Sequence, residues 1–202
     1  MLRKEHWETV FSTKTEKEVS WYQQYPKTSV DYITALHLPL DAKIIDIGGG
    51  DSYLDALLDL GYTNLTLLDI SAKAIDRIKA RLGEKADKVT FIVSDILDFE
   101  PKATYDFWHD RACFHFLTQP EQISQYISIV DQALADDGKL FIGTFSENGP
   151  QKCSGLPISQ YNEERFKEVF GQYFRLTDTL EQSHQTPFDT IQHFIFCGFK
   201  RI

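Results

Sequence analysis

From residue 43 onward, short runs of branched apolar residues alternate with stretches whose apolar positions recur every three or four residues. KIIDI (43–47), NLTLLDI (64–70) and VTFIVS (89–94) read as strands, YDFW (105–108) as a short fourth and KLFIGTF (139–145) as a fifth. Between them LDALLDLG (54–61) reads as a helix with Gly61 as its stop. Ser71 is placed to cap an amphipathic helix through Leu82, with Gly83 beyond it. Thr118-Gln119-Pro120-Glu121 has the spacing of a capping box for a helix running to about Ala135, and Asp136-Asp137-Gly138 then turns into the fifth strand. Farther on, Asn162 can cap a helix to Phe170, and RLTDTL (175–180) and IQHFIFCGF (191–199) read as two more strands.

Alternation of this kind predicts βαβ units and a parallel sheet covered on both faces. Only about ten polar residues separate the last two strands, too few for a helical crossover, so they should pair antiparallel. The expected fold is therefore α/β: a three-layer sandwich whose seven-stranded, mostly parallel sheet carries an antiparallel last strand. A chain of 202 residues with 42% hydrophobic content suits one such domain over residues 41–202. Residues 1–40 are expected to form an N-terminal helical lid segment.

A net charge of −9 offers no basic face to a polyphosphate backbone, so no nucleic acid is expected as a partner. MLRKEHWETV lacks the apolar centre of a signal peptide and no run reaches membrane-spanning length, so no membrane is expected. Cys113, Cys153 and Cys197 are odd in number and far apart, which fits reduced thiols in a cytoplasmic protein. Neither a disulfide framework nor a metal site follows from their spacing.

The stretch IIDIGGGDS (44–52) brings bare backbone to a ligand. A dinucleotide fingerprint counted from Gly48 would need glycine at the sixth position, where Tyr53 stands, and the phosphate loop of nucleotide hydrolases would need a lysine. Asp46, two residues before Gly48, would repel a pyrophosphate. It suits a ligand with positive charge, such as the sulfonium and ammonium of S-adenosylmethionine. Asp69 ends the second strand, where one carboxylate can accept both hydroxyls of a ribose. Asp95 follows the third, where it can accept an adenine amine while Ile96 packs on the ring. Helix capping is the competing use of each acid, and Asp69 could also serve as the N-cap assigned to Ser71.

With these residues the chain resembles the class I S-adenosylmethionine-dependent methyltransferases over roughly residues 40 to 200. Asp46, Gly48 and Gly50 match the first motif of that family, Asp69 the ribose acid and Asp95 the adenine acid, with Ile70 and Ile96 beside them. Ser52 stands where the family often has a third glycine. The resemblance implies a Rossmann-like fold, S-adenosylmethionine as cofactor and methyl transfer by in-line displacement.

The acceptor should lie on loops at the same end of the sheet. WHDRACFHF (108–116) crowds His109, Asp110, Arg111 and His115 into that slot. Asp110 or His115 is expected to orient the nucleophile or take its proton, and Arg111 to hold an anionic group; the alternative is an Asp110–Arg111 pair with core phenylalanines. Cys153 falls on the long loop 146–161, where a thiolate would suit a soft acceptor, and His184, Thr186 and Gln192 come from the final hairpin. SWYQQYPKTS (20–29) is too aromatic for a solvated tail and is read as a helical lid with Trp21 or Tyr22 on the ligand, the alternative being an extra helix docked on the core. Lacking a separate substrate domain, the chain is expected to methylate a small-molecule acceptor. The N-terminal aromatic patch also resembles a subgroup that includes protein lysine enzymes, and a non-catalytic cofactor-binding module is a third reading.

Overall fold

In a computed structural model that describes residues 3–49 and 53–202, the chain builds one seven-stranded sheet. Its strands are β1 (Lys43–Ile47), β2 (Asn64–Asp69), β3 (Val89–Val93), β4 (Tyr105–Arg111), β5 (Leu134–Phe145), β8 (Phe174–Gln185) and β9 (Ile191–Arg201), in the order β3-β2-β1-β4-β5-β9-β8. The pairings among β1 to β5 are parallel, and β9 runs antiparallel to both β5 and β8. The antiparallel strand thus lies inside the sheet and β8 forms its edge. A two-stranded hairpin, β6 (Lys152–Cys153) with β7 (Leu156–Pro157), decorates the loop after β5.

Pleating sorts the strand side chains into two cores. Ile44, Phe107, Phe141 and Phe196 face α2 (Lys27–Ala35), α3 (Tyr53–Asp59) and α4 (Ala72–Leu82), meeting Ile33, Leu57 and Ile78 there. Ile45, Trp108, Ile142 and Cys197 face α5 (Pro120–Ala133) and α6 (Glu163–Phe170), where Tyr126, Phe166 and Phe170 complete the second core. These are the three layers the alternation predicts. Ser71 caps α4 by accepting from the Ala74 N–H, Asn162 caps α6 by accepting from the Arg165 N–H, and Gly83 ends α4 at φ +56°.

Several boundaries differ from the sequence reading. The capping box at Thr118 does not form: Gln119 takes the N-cap position with no side-chain bond, and Pro120 opens α5 with the preset φ of a first helical residue. Asp136-Asp137-Gly138 lies within β5 as a bulge, since the register against β4 jumps from Tyr105–Leu134 to Phe107–Lys139. The β8–β9 strands run farther than expected and leave only residues 186–190 for the turn, closed by the Thr186 N–H donating to the Thr190 carbonyl at 2.8 Å. Segment 20–26 is not helical; α2 starts at Lys27, and the helix that precedes it is α1 (Arg3–Thr13), which the sequence pattern did not reveal.

Gly143 stands opposite Phe196 in the β5–β9 pairing, and a Cβ there would press into the ring, meeting Cδ1 at 2.7 Å. Gly143→Ala should therefore lower stability by about 1–3 kcal/mol through overpacking. Thermal unfolding followed by circular dichroism checks this, and an unchanged midpoint would show that the ring yields freely.

Candidate active site

Strands β1, β2 and β4 all end on the same side of the sheet, and their last turns open onto a cavity of about 720 Å³. Gly48, Asp69 and Ile70 form part of its wall, with the Ser94-Asp95-Ile96 turn beside them. Arg3, Trp7 and Phe11 of α1 also line it, with Arg111, Cys113 and Phe116 from the exit of β4 and Cys153 from β6. A smaller recess of about 330 Å³ shares Trp21, Gly48 and Arg111 with it and adds Asp46, Gly49, Tyr53 and His109. Gly48 adopts φ +65°, and a Cβ on Gly49 would collide with Asp46 Oδ2 and Leu67, so this bend requires bare backbone.

Of the residues singled out from sequence, Asp46, Gly48, Asp69, Ile70, Asp95, Ile96, Trp21 and Arg111 reach one or both cavities. Gly50, like Ser52, lies outside the described residues. Tyr22 lines neither cavity. Asp110 and His115, expected to serve the acceptor, are fully buried and line neither. The reason is parity. β4 continues through Arg111, so pleating sends His109 and Arg111 toward the cavities and Asp110 the other way, onto α5. There the Asp110 carboxylate accepts from the Cys113 and Phe114 N–H groups at 3.0 Å and from the Tyr126 hydroxyl at 2.8 Å. It is a structural clamp for the turn after β4. His115 is held uncharged: burial, then the nearby Arg111 charge, brings its pKa down to about 3.

The buried acids carry their own electrostatics. Asp69 is pushed up to about 7, first by burial and then by the charges of Asp46 and Glu8, against one hydrogen bond from the Ser71 N–H at 2.8 Å. Burial likewise raises Asp110 to about 6, although Phe114, Tyr126 and Cys113 all donate to it. Cys153 lines the cavity, but burial pushes its thiol up to about 12, so it presents S–H and not the thiolate a soft acceptor would need. His184 is a strut: its Nε2 donates to the Ser20 carbonyl at 2.8 Å and its Nδ1 accepts from Gln23 at 3.2 Å, tying segment 20–23 to β8. Thr186 is spent inside the hairpin turn, and neither it nor Gln192 lines a cavity.

Sequence reasoning missed α1, which lies across the larger cavity. Glu8 gives α4 a second cap, accepting from the Ala72 N–H at 2.8 Å, the Lys73 N–H at 3.2 Å and the Ser71 hydroxyl at 3.1 Å. Arg77 reaches back to the carbonyls of Phe11 at 2.6 Å and Lys14 at 2.5 Å, and Arg81 pairs with Glu16 at 2.6 Å. Trp7 meets Trp21 and Phe116 edge-on, at 5.8 and 5.1 Å between ring centres, while Arg3 pairs with Asp95 at 3.4 Å. The Trp7–Phe11 spacing of four in EHWETVF was the available signal.

Residues 45–140 match a family profile described as "Methyltransferase domain". Among curated proteins, the eEF1A lysine and N-terminal methyltransferase of Mus musculus is 28% identical over 141 residues, 67% of this chain and 19% of that protein. The malonyl-[acyl-carrier protein] O-methyltransferase of Anoxybacillus flavithermus is 33% identical over 106 residues, 52% of this chain and 39% of that one. This chain thus spans well under half the length of either relative. Among solved structures, an S-adenosylmethionine-dependent methyltransferase from Anabaena variabilis superposes with a TM-score of 0.76 at 14% identity, covering 100% of this chain and 96% of the other.

The geometry of α1 makes a direct prediction. Glu8→Ala removes three hydrogen bonds between α1 and the start of α4, so amide hydrogen exchange over residues 3–13 should accelerate by about tenfold while β1 keeps its protection. Equal exchange in the two proteins would show that Glu8 does not hold the helix down.

Proposed function

We propose, from the premise that this chain belongs to the class I S-adenosylmethionine-dependent methyltransferases, that it methylates a small molecule held beneath α1 and segment 20–26. The observation that carries the reading is the convergence of Asp46, Asp69 and Asp95 on two adjoining cavities around the bare Gly48–Gly49 backbone. Those residues fit the cofactor chemically. Asp69 has one backbone donor and remaining acceptor capacity at the cavity wall, which suits a ribose diol. Asp95 and Ile96 offer an acceptor and an apolar surface side by side, which suits an adenine ring. Asp46 places a carboxylate next to the glycine bend, where the ammonium of the cofactor's amino-acid end belongs.

When bound, S-adenosylmethionine supplies a methyl group already activated by a positively charged sulfur. The chain's own residues align and dry the site. Trp7, Trp21 and Phe116 wall the cavity with aromatic surface and exclude water. Arg111 lines both cavities, steadied by a bond from Nη2 to the Trp21 carbonyl at 3.1 Å, and is suited to hold an anionic group of the acceptor. With Asp110 and His115 sealed in the core, alignment and desolvation carry the transfer. A cavity walled by α1 and by Trp21, Phe116 and Arg111 supports a small acceptor. The mouse relative's name favours a second reading, a protein lysine acceptor, and mass spectrometry of methylated cell proteins against methylated small-molecule extracts separates the two.

The test uses Asp69. Below its pKa of about 7 the carboxyl is protonated and loses one acceptor site; above it the carboxylate accepts both ribose hydroxyls. Affinity for S-adenosylhomocysteine, measured by calorimetry, should therefore rise by up to about tenfold from about pH 6 to about pH 8. Asp69→Asn should bind about tenfold more weakly at the upper pH and lose the dependence. A flat profile in the unaltered protein would remove Asp69 from the ribose.

A further inference from the structure

We infer that Ser29 and His109 are positioning residues that aim the Asp46 carboxylate at the amino-acid end of the cofactor, an inference that rests on the cofactor reading above. Asp46 and His109 face each other across the β1–β4 register, with His109 Nδ1 2.6 Å from Asp46 Oδ1. Its Nε2 lies 2.8 Å from the hydroxyl of Ser29, in the first turn of α2. A carboxylate oxygen accepts, so Nδ1 carries the hydrogen, and in the neutral ring Nε2 then accepts from the Ser29 hydroxyl. All three groups are 1–2% exposed. Tyr53 packs on the imidazole at a 33° tilt, 4.0 Å between ring centres, and Phe107 and Phe141 flank it at 6.4 and 6.3 Å, which confines the ring.

This chain of hydrogen bonds engages one Asp46 oxygen and leaves Oδ2 against Gly49, on the wall of the smaller recess. Tyr53 lines the same recess, and its buried hydroxyl has no hydrogen-bond partner among the described residues. The Asp46 carboxylate thus offers a charged acceptor on a recess that would suit an ammonium. Buried polar chains cost desolvation that apolar packing would avoid, so this one calls for a function beyond filling the core. Ser29 itself lines neither cavity and is not a nucleophile. It sits three residues after Pro26, which does line the recess, so docking of the N-terminal segment and orientation of Asp46 are coupled through one hydroxyl.

The experiment compares two ligands that differ only at that end: S-adenosylhomocysteine, and 5′-methylthioadenosine, which lacks the amino acid. Calorimetry on the full chain should show Ser29→Ala weakening the first by about fivefold, the size of one hydrogen bond, and leaving the second unchanged. Ser29→Thr, which keeps the hydroxyl, should restore affinity to within about twofold. Unchanged binding of S-adenosylhomocysteine, or equal loss of both ligands, would overturn the assignment. If Ser29→Ala does not fold by circular dichroism, His109→Asn decides it on the same two ligands, again by selective loss against equal loss. An unaltered protein that binds neither ligand would overturn the cofactor reading itself, and the positioning role with it.

Discussion

Burying a carboxylate is expensive unless donors meet it, and this fold buries three of them at the ends of adjacent strands. Asp46, Asp69 and Asp110 stand on β1, β2 and β4, each almost without exposure and each held differently. Asp110 receives three donors and becomes part of the scaffold. Asp46 receives an imidazole on one oxygen. Asp69 receives a single backbone N–H, and burial with the charges of Asp46 and Glu8 raises its pKa. The least satisfied acids are those facing the cavities, which is where a ligand would complete their coordination. The rest of the site follows from keeping these charges apart, dry and aimed.

The N-terminal segment completes the enclosure that the sheet begins. The parallel sheet supplies a generic crevice at its carboxyl edge. α1 and residues 20–26 convert that crevice into a walled cavity, attached by contacts that end at the ligand wall. Glu8 grips the helix that follows Asp69, Arg3 reaches Asp95, and Ser29 reaches Asp46 through His109. Each strand-end acid on the cavities therefore has a link to the N-terminal forty residues.

The sheet was legible in sequence because parallel strands buried on both faces must be continuous apolar runs, and KIIDI and NLTLLDI are such runs. The caps at Ser71 and Asn162 were legible because their chemistry is local. α1 was not. Its apolar residues form no stripe, and hydrogen bonds with α4, whose first N–H groups donate to Glu8 and whose Arg77 donates to the Phe11 carbonyl, hold it where a hydrophobic face would otherwise do so. Asp110 was misplaced for a related reason: ending β4 at Trp108 hides the parity that turns its side chain onto α5. His109 looked like one of several polar residues in a crowded loop, and only the β1–β4 register reveals it as the partner of Asp46.

The most direct test of the central claim is a crystal structure of the protein grown with S-adenosylhomocysteine. The account predicts density beneath α1, with the ribose hydroxyls on Asp69, the adenine at Asp95 and Ile96, and the amino-acid end turned toward Asp46. Ligand density that touches none of these acids would contradict it.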